Sequence, residues 1–470
     1  MDRACLAMSP RNIETLPDTD MSTKSVESSV QFPSLQRARR ARGIRRIDLS
    51  SAQLGSSEVA RDINRDIILE LIRLRQPLAR MDLSRLSGLR PSTVSLIADQ
   101  LIGENWVREG GAVKGARGRP STMLTVNDEI VTFAMDLRPD RAILALIDLT
   151  GRFHSRETIA MSSDPRTSMA RVIERIQALR AQYSTYTFEG LGVSIPGRVD
   201  PLTQRILLAP NLRWTDYDIR TVLETDLGMQ VELDNDANVC LLSELWYGRL
   251  QDVQNVVLVA IAEGIGTAIM SDGQLLIGHN GLAGEFGHLP VDPNGPKCGC
   301  GQRGCWEMFA SSSAAIRHYN ANRRKERVKD IYGLLVRAEE RDQLALQAVT
   351  RQAEALGRGL RLITASLSPE LILITGEIAA YWNRFGGVVQ KAMRESMLAG
   401  PPPRIAPAGD SDLARLSGAA ALLLQRHASY HRSTHAPSEA RVVSVVQNGD
   451  LRRGPQSLIS AEERPSRLIS

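Results

Sequence analysis

Four residues near the middle of the chain carry side chains that bind transition metals. His288 is followed by Cys298, Cys300 and Cys305, which places one imidazole and three thiols in a single short segment. This set completes the shell of a four-coordinate zinc ion, in which Zn–S distances are about 2.3 Å. Because all four ligands come from the protein, the set predicts a structural zinc and not a hydrolytic one. Cys298 and Cys300 are too close in the chain for an easy mutual disulfide. The alternative to a metal site is therefore three buried free cysteines.

Polar residues in three segments could bind a ligand rich in hydroxyl groups. Carboxylates and amides in a cleft suit such a ligand, because a hydroxyl both donates and accepts hydrogen bonds. The candidates are Asn211 after a tight turn at 194–197, the run from Asp234 to Asn238 after a strand-like segment, and Glu285, His288 and Glu307 around the metal segment. Each group alone is a weak signal, because Asn and Asp are common in surface loops.

The pattern of apolar residues, glycine and proline over 61–127 predicts a winged helix-turn-helix. Ile63, Ile67, Leu71 and Leu74 lie on one helical stripe, with Ile68 and Ile72 beside it. A short second helix is expected at 82–87, Gly88 suits the turn that follows, and Pro91 suits the start of a third helix. That third helix has one apolar face, made by Val94, Ile97, Ala98, Leu101 and Ile102.

The opposite face of the third helix carries candidate DNA contacts. Arg90 stands at the helix entrance, and Ser92, Thr93 and Ser95 are small enough to approach base edges or phosphates in a major groove. Two short strands around a basic, glycine-rich loop would form the wing, whose tip carries Arg117 and Arg119. An extended Arg-Gly-Arg-Pro segment fits a narrow A·T-rich minor groove. The alternative is a small helical domain that binds no DNA.

Charge is unevenly distributed along the 470 residues. Residues 1–127 contain 20 Lys and Arg against 14 Asp and Glu, whereas the remainder contains 38 against 39. This asymmetry favours a polyanion as the partner of the N-terminal part, although a solvated basic tail would look the same.

The other regions differ in composition and pattern. Residues 1–60 are Ser-rich and basic and are predicted to be a disordered extension. Residues 128–428 alternate strand-like and helix-like segments, which predicts an α/β architecture, and residues 429–470 read as a flexible tail. No apolar run is long enough for a membrane helix and no secretory signal is apparent, so a cytoplasmic protein with reduced thiols is expected.

The segment from Gly284 to His288 and the Cys-x-Cys-Gly-x-x-Gly-Cys-x-Glu run that ends at Glu307 resemble the signature of the ROK family (repressor, open reading frame, kinase). That family contains sugar kinases and sugar-responsive transcriptional repressors. The predicted winged helix ahead of the α/β part is similar to its repressor branch. The resemblance covers about 61–428.

The resemblance implies both a fold and a site. It implies an actin-like, hexokinase-like (ribonuclease H-like) pair of α/β lobes over 128–428, with a sugar cleft between them. It also implies zinc bound by His288, Cys298, Cys300 and Cys305 in the zinc loop 288–305. The family pattern assigns sugar contacts to Asn211, Asn235, Asp236, Glu285, His288 and Glu307. Asp236 corresponds to the catalytic base of the kinases.

The turns that would hold ATP phosphates depart from the kinase pattern. Kinases of the family have an Asp-x-Gly-x-Thr-like turn where this chain has Asp-Leu-Arg-Pro-Asp at 136–140. The arginine fills the space that glycine leaves for a phosphate, and the proline has no N–H to donate. The turns at 263–267 and 375–377 each place a carboxylate beside glycine. These changes disfavour ATP and predict that Asp236 is a vestigial base in a protein that is not an enzyme.

The sequence therefore predicts a sugar-responsive transcriptional regulator, with repressor as the family default. Its expected partners are operator DNA, a monosaccharide effector and a second copy of the chain, as a homodimer or tetramer. One alternative is an ATP-dependent sugar kinase with an accessory N-terminal domain. Another is a vestigial cleft in which a partner protein sets the affinity for DNA.

Overall fold

The computed structural model describes residues 57–113, 121–209, 212, 214, 217–248, 250, 253–321, 326–395 and 400–433. These residues belong to one compact unit, Gly55–Ser470. Several predictions lie outside the described residues: the extension before residue 57, the wing tip with Arg117 and Arg119, the contact residue Asn211, and the tail beyond residue 433.

Residues 57–126 form an N-terminal module of three helices and a three-stranded antiparallel sheet. The elements are α1 (Ser57–Arg75), β1 (Leu78–Ala79), α2 (Arg80–Ser87), α3 (Pro91–Gly103), β2 (Val107–Val113) and β3 (Ser121–Val126), with strand order β1-β3-β2. Gly88 ends α2 in the left-handed region, with φ of 72°, and donates its N–H to the carbonyl of Ser84. Pro91 occupies the first turn of α3, where its missing N–H costs nothing. These two residues fix the short turn that the sequence predicts between α2 and α3.

Helix α1 faces the core with the residues beside its longest apolar stripe, and not with the stripe itself. Ile68 and Ile72 are fully buried, whereas Ile63, Ile67 and Leu74 on the stripe are 45%, 41% and 39% exposed. Periodicity identifies the helix here, but it does not decide which of two neighbouring apolar sides faces the core.

The first lobe is built on a five-stranded mixed sheet. Its strands and the adjoining two-stranded ribbon are β4 (Ile130–Leu137), β5 (Arg141–Asp148), β6 (Phe153–Ala160), β7 (Thr187–Ile195), β8 (Arg198–Val199), β9 (Ile206–Leu208) and β10 (Val231–Asn235). The sheet order is β10-β7-β4-β5-β6, and β10, β7 and β4 run parallel. The carboxyl ends of these three parallel strands meet at one edge, where ligand sites form in open α/β sheets.

The second lobe has a five-stranded sheet of its own. Its strands are β11 (Val256–Ile261), β12 (Ile265–Ser271), β13 (Gln274–Leu275), β14 (Leu371–Gly376) and β15 (Arg404–Pro407), in the order β13-β12-β11-β14-β15. The remaining helices of the chain are α4 (Pro165–Gln182), α5 (Ile219–Leu227), α6 (Asp236–Trp246), α7 (Glu307–Ala310), α8 (Ser312–Ala321), α9 (Ile331–Glu339), α10 (Gln343–Leu367), α11 (Glu377–Ala380), α12 (Trp382–Arg394) and α13 (Ser411–Ser433). Two such lobes are the α/β architecture that the sequence predicts. Among the described helices, none is both long and apolar enough to cross a membrane.

Helix α6 is buried between the two lobes. Val239 packs into a cluster with the sheet of the first lobe and α13. Cys240 and Leu241 pack into a different cluster, formed with β11, β12 and β14 of the second lobe. Helix α6 therefore contacts both lobes.

Candidate functional site

The predicted metal ligands come together in the second lobe. Nδ1 of His288 lies 3.5 Å from Sγ of Cys298, and Sγ of Cys300 lies 3.6 Å from Sγ of Cys305. All four ligand atoms lie within 4.8 Å of one another. A tetrahedral shell with bonds of about 2.3 Å has edges of about 3.8 Å, so these spacings match a four-coordinate metal ion. The residues present therefore fit the metal that the sequence predicts.

The loop around these ligands is held by its own backbone. Gly304 has φ of 65°, and a β-carbon there would lie 1.5 Å from the carbonyl oxygen of Asp292. Trp306, directly after Cys305, is 2% exposed and donates its indole N–H to the carbonyl of Ala355 in α10. The close turn and the buried anchor fix the ligand positions against the core of the second lobe.

Two predicted sugar contacts, Glu285 and Glu307, lie beside the metal ligands, and a third, His288, is itself one of those ligands. Glu285 and His288 lie on a 3₁₀ helix, Glu285–His288, and Glu307 begins α7. Nε2 of His288 lies 3.8 Å from Oε2 of Glu285, while its Nδ1 faces Oε1 of Glu307 at 3.6 Å. The two ring nitrogens therefore point to different environments: Nδ1 toward the cysteines and Nε2 toward Glu285.

Two other predicted contacts lie where α6 begins in the first lobe. Asn235 caps the helix, since its Oδ1 accepts the N–H of Ala237, and its Nδ2 donates to the carbonyl of Gly197. Asp236 is the first residue of α6. Burial raises the pKa of Asp236, the charge of Asp136 raises it further, and Arg415 opposes both. Asn235 thus ties the turn after β7 to α6, and Asp236 is held beside charged neighbours.

Two glycines of the second lobe connect these groups. A β-carbon on Gly264 would lie 2.7 Å from Oε2 of Glu307, and one on Gly266 would lie 3.8 Å from Oδ1 of Asp236. Gly264 lies in the turn just before β12, and Gly266 is the second residue of that strand. The carboxylates of Glu307 and Asp236 therefore both lie close to the start of β12. One carboxylate comes from each lobe, an arrangement suited to hydrogen-bonding the hydroxyls of a ligand between them.

Four of the predicted DNA contacts lie among the described residues, at and just after the start of α3. Arg90 precedes α3 and Ser92 lies in its first turn, and both are exposed, while Thr93 and Ser95 are half-buried. The four residues follow the short turn between α2 and α3.

Sequence reasoning missed a network of charged residues beside Asp236. Arg138 donates to Asp136 at 2.8 Å and to Asp412 at 2.6 Å, and Arg415 donates to the same two carboxylates at 3.1 and 2.8 Å. Burial opposes the charge of Asp412, but the hydrogen bond and charge of Arg138 outweigh it and lower its pKa. The i, i+3 spacing of Asp412 and Arg415 on α13 could have predicted the ion pair between these two residues. No local sequence pattern predicts their contacts with Asp136 and Arg138, which lie far away along the chain.

The far end of α6 contacts the N-terminal module. The guanidinium carbon of Arg73 on α1 lies 5.0 Å from the ring centre of Trp246 and 5.8 Å from that of Tyr247. Leu149 of the first lobe and Leu424 of α13 share one apolar cluster with the buried residues of the module. Helix α6 therefore begins at Asp236 and ends against α1.

Comparisons with known proteins agree with this architecture. The sequence profile described as "ROK family" matches residues 132–426. The xylose repressor of Bacillus spizizenii is 31% identical over 324 residues, which cover 67% of this chain and 82% of the repressor.

Two solved structures are similar over most of their length. The crystal structure of a ROK family transcriptional regulator, described as a homologue of the E. coli MLC protein, has a TM-score of 0.66 and 26% identity and covers 79% of this chain and 100% of that one. A ROK family glucokinase from Streptomyces griseus, in complex with glucose and AMPPNP, has a TM-score of 0.56 and 25% identity and covers 63% of this chain and 99% of that one.

Proposed function

The chain belongs to the ROK family, and we propose that it is a sugar-responsive transcriptional repressor that acts in the cytoplasm. In this proposal the N-terminal module binds operator DNA and the cleft between the lobes binds a monosaccharide. The observation that carries it is the placement of α6, which contacts the first lobe, the second lobe and the N-terminal module.

The N-terminal module would bind DNA as a winged helix-turn-helix. Helices α2 and α3 would be the helix-turn-helix, with α3 in the major groove and Arg90, Ser92, Thr93 and Ser95 as contacts. The connection between β2 and β3 would be the wing, with Arg117 and Arg119 in the minor groove. A homodimer would bind a two-fold operator.

The cleft would bind sugar through residues of both lobes. Asn235 and Asp236 would contribute from the first lobe, together with Asn211, and Glu285, His288 and Glu307 from the second. A sugar that bridges Asp236 and Glu307 favours one distance between the lobes. Because α6 lies between the lobes, such a preference would act on the contact between Trp246 and Arg73. A ligand shifts such an equilibrium only by its difference in affinity for the two states.

The metal would be a structural zinc held by His288, Cys298, Cys300 and Cys305. A bound zinc fixes ligand orientation, and His288 would bind it through Nδ1, which leaves Nε2 to face the sugar beside Glu285. The metal would thus hold Glu285, His288 and Glu307 in place for sugar binding.

The zinc assignment predicts the effect of Cys305→Ser. This change should reduce bound zinc from one per chain to well below one, and should lower the melting temperature and the sugar affinity together. Elemental analysis and thermal unfolding measure these effects. Cys240→Ser is the matched control: Cys240 is buried in α6, away from the cluster, and this variant should keep one zinc per chain. Full zinc in Cys305→Ser would contradict the assignment.

We also propose that the chain is not a kinase. The turn at 136–140 contains Arg138 and Pro139, and Arg138 is already paired with Asp136 and Asp412. The two arginines and two carboxylates of this network balance in charge, so they offer little attraction to the phosphates of ATP. Kinase activity is the second candidate, favoured by Asp236 and by the similarity to a glucokinase. ATP-dependent phosphorylation of a monosaccharide that is lost in Asp236→Asn would establish it.

The repressor proposal is tested by DNA binding and sugar binding in the same protein. Footprinting on the promoter of its own gene at physiological salt should reveal a specific site, and a panel of monosaccharides should change its occupancy. A sugar at one hundred times its Kd should stabilise the fold by about 2.7 kcal/mol, and Asp236→Asn should abolish this gain. Absence of any specific site would overturn the proposal. If the protein binds a specific DNA site and no sugar changes the occupancy of that site, the protein is a regulator controlled by another partner.

A further inference from the structure

One leucine of α3 is exposed among the predicted DNA contacts. Leu96 is 60% exposed, whereas Val94, Ile97, Ala98 and Leu101 on the same helix are at most 2% exposed. Among the described residues of α3, no other large apolar side chain is exposed. Most of the Leu96 side chain therefore lies outside the core of the module.

The neighbours of Leu96 place it at the centre of the outward face. Ser92 lies one turn before it and Asp99 nearly one turn after it, and both are exposed. Asp99 pairs with Arg80 of α2, whose guanidinium donates to Asp99 at 2.8 Å and to Glu109 at 2.9 Å. On this face, Leu96 is the large apolar side chain that is exposed among the described residues of α3, and it lies between Ser92 and the ion-paired carboxylate of Asp99.

A bare isobutyl group in a major groove has one favourable partner. Polar base edges need donors or acceptors, which leucine lacks, whereas the 5-methyl group of thymine is apolar and lies in the major groove. Phosphates are also excluded as partners, because they are recognised through charge and N–H or O–H donors.

We propose that Leu96 is a specificity-determining residue that contacts the methyl group of a thymine in the operator. This inference rests on the proposed function, since it requires α3 to enter the major groove. Beyond that function, the inference states that recognition of one base pair of the operator depends on an apolar contact and not on a hydrogen bond.

The test removes the methyl group and the leucine separately. The full chain is first used to select binding sites from a random DNA pool, and each thymine of the selected site is then replaced by uracil. At one thymine per half-site, uracil should weaken binding of the unaltered protein about fourfold, the equivalent of one buried methyl group. For Leu96→Ala, thymine and uracil should bind equally well at that position.

The controls separate the possible failures. Leu74→Ala, an exposed leucine on α1, should retain the fourfold preference for thymine. Since Leu96 is exposed, Leu96→Ala should melt at an unchanged temperature, and Leu96→Met should retain part of the preference. Failure to select any sequence would refute the proposed function itself. A selected site with no thymine sensitive to uracil, or a preference that persists in Leu96→Ala, would overturn the role of Leu96 alone.

Discussion

Asp234 has a carboxylate whose charge the fold disfavours. The protein around it raises its pKa from the ordinary 3.8 to about 6, because burial outweighs the hydrogen bonds it accepts. Those bonds come from the backbone N–H of Asn235 at 2.6 Å and the amide of Asn238 at 2.8 Å, and both end on Oδ1. Since the folded pKa lies above the unfolded one, the folded state binds this proton more tightly. The associated stability is full below about pH 4 and is lost as the pH rises through 6.

Replacing this carboxylate with an amide should therefore stabilise the protein at high pH. Asp234→Asn retains an oxygen for both hydrogen bonds and removes the charge. A shift of about two units corresponds to about 3 kcal/mol, so the variant should gain up to that amount at pH 8, and the gain should shrink toward pH 4. Urea unfolding across this range measures it. Asp272→Asn, at an exposed turn, controls for the loss of one negative charge. A gain that does not vary with pH would contradict this account.

At the same scale, the sequence predicts residues best where chemistry and spacing are local. The metal ligands lie within one loop, so their types and intervals suffice to predict the cluster. The pairing of Arg415 with Asp136 joins residues 279 positions apart. Such a contact depends on where α13 packs against β4, which no local pattern specifies.

Helices α6 and α13 pack through their backbones. A β-carbon on Gly418 of α13 would lie 1.7 Å from the carbonyl oxygen of Val239 in α6. On the same stretch of α13, the carbonyl of Ala419 lies 1.8 Å from where a β-carbon on Gly192 of β7 would be. Glycine at these two positions allows α13 to approach both α6 and the sheet. The packing of the first lobe thus requires glycine at 192 and 418, because a larger side chain at either position would collide with neighbouring backbone.

The contact between the helices predicts opposite effects for two Gly→Ala changes. Gly418→Ala should destabilise the protein by about 1–3 kcal/mol, because α13 must move away from α6. Gly387→Ala in α12 is the matched control: nothing lies within 4 Å of its β-carbon position, and alanine should stabilise the helix by up to about 1 kcal/mol. Urea unfolding of both variants measures the difference. Equal stabilities would show that the helices have room to relax.

Element by element, the sequence predicts the type of structure better than its packing. The turn at Gly88 and the start of α3 at Pro91 follow from backbone chemistry and could be predicted. The side on which α1 packs could not, since Ile67 and Ile68 are adjacent and only the partner decides that Ile68 is buried. The location of α6 between two lobes also requires the whole fold, because it needs partners from both sheets.

On the scale of the molecule, α6 extends from the proposed sugar site to the N-terminal module. Its first residue is Asp236, and its last residue, Trp246, is stacked against Arg73 of α1. Arg73 is itself fixed by two hydrogen bonds to Glu70, at 2.7 and 2.8 Å, and its side chain is 8% exposed. A displacement of α6 would therefore act on the contact between Trp246 and Arg73, in which Arg73 is held in place on the module.

This contact predicts that Arg73→Ala weakens the sugar response and preserves both binding activities. Cation–π contacts contribute about 0.5–2 kcal/mol, and couplings between sites are typically about 1–3 kcal/mol. The ratio of operator affinities without and with sugar should therefore fall severalfold toward one. Sugar affinity in the absence of DNA and operator affinity in the absence of sugar should change little. Titrations of labelled operator at zero and saturating sugar measure the ratio.

The matched control is Arg175→Ala, which removes another arginine that makes two hydrogen bonds to one glutamate, Glu157, at 2.9 Å each. Arg175 lies on α4 of the first lobe and pairs with β6, away from α6. It should leave the sugar response unchanged. A full response in Arg73→Ala would mean that the signal passes instead through the apolar cluster around Leu149 and Leu424. Loss of operator binding by Arg73→Ala without sugar would mean that the contact supports the fold of the module and does not transmit the signal.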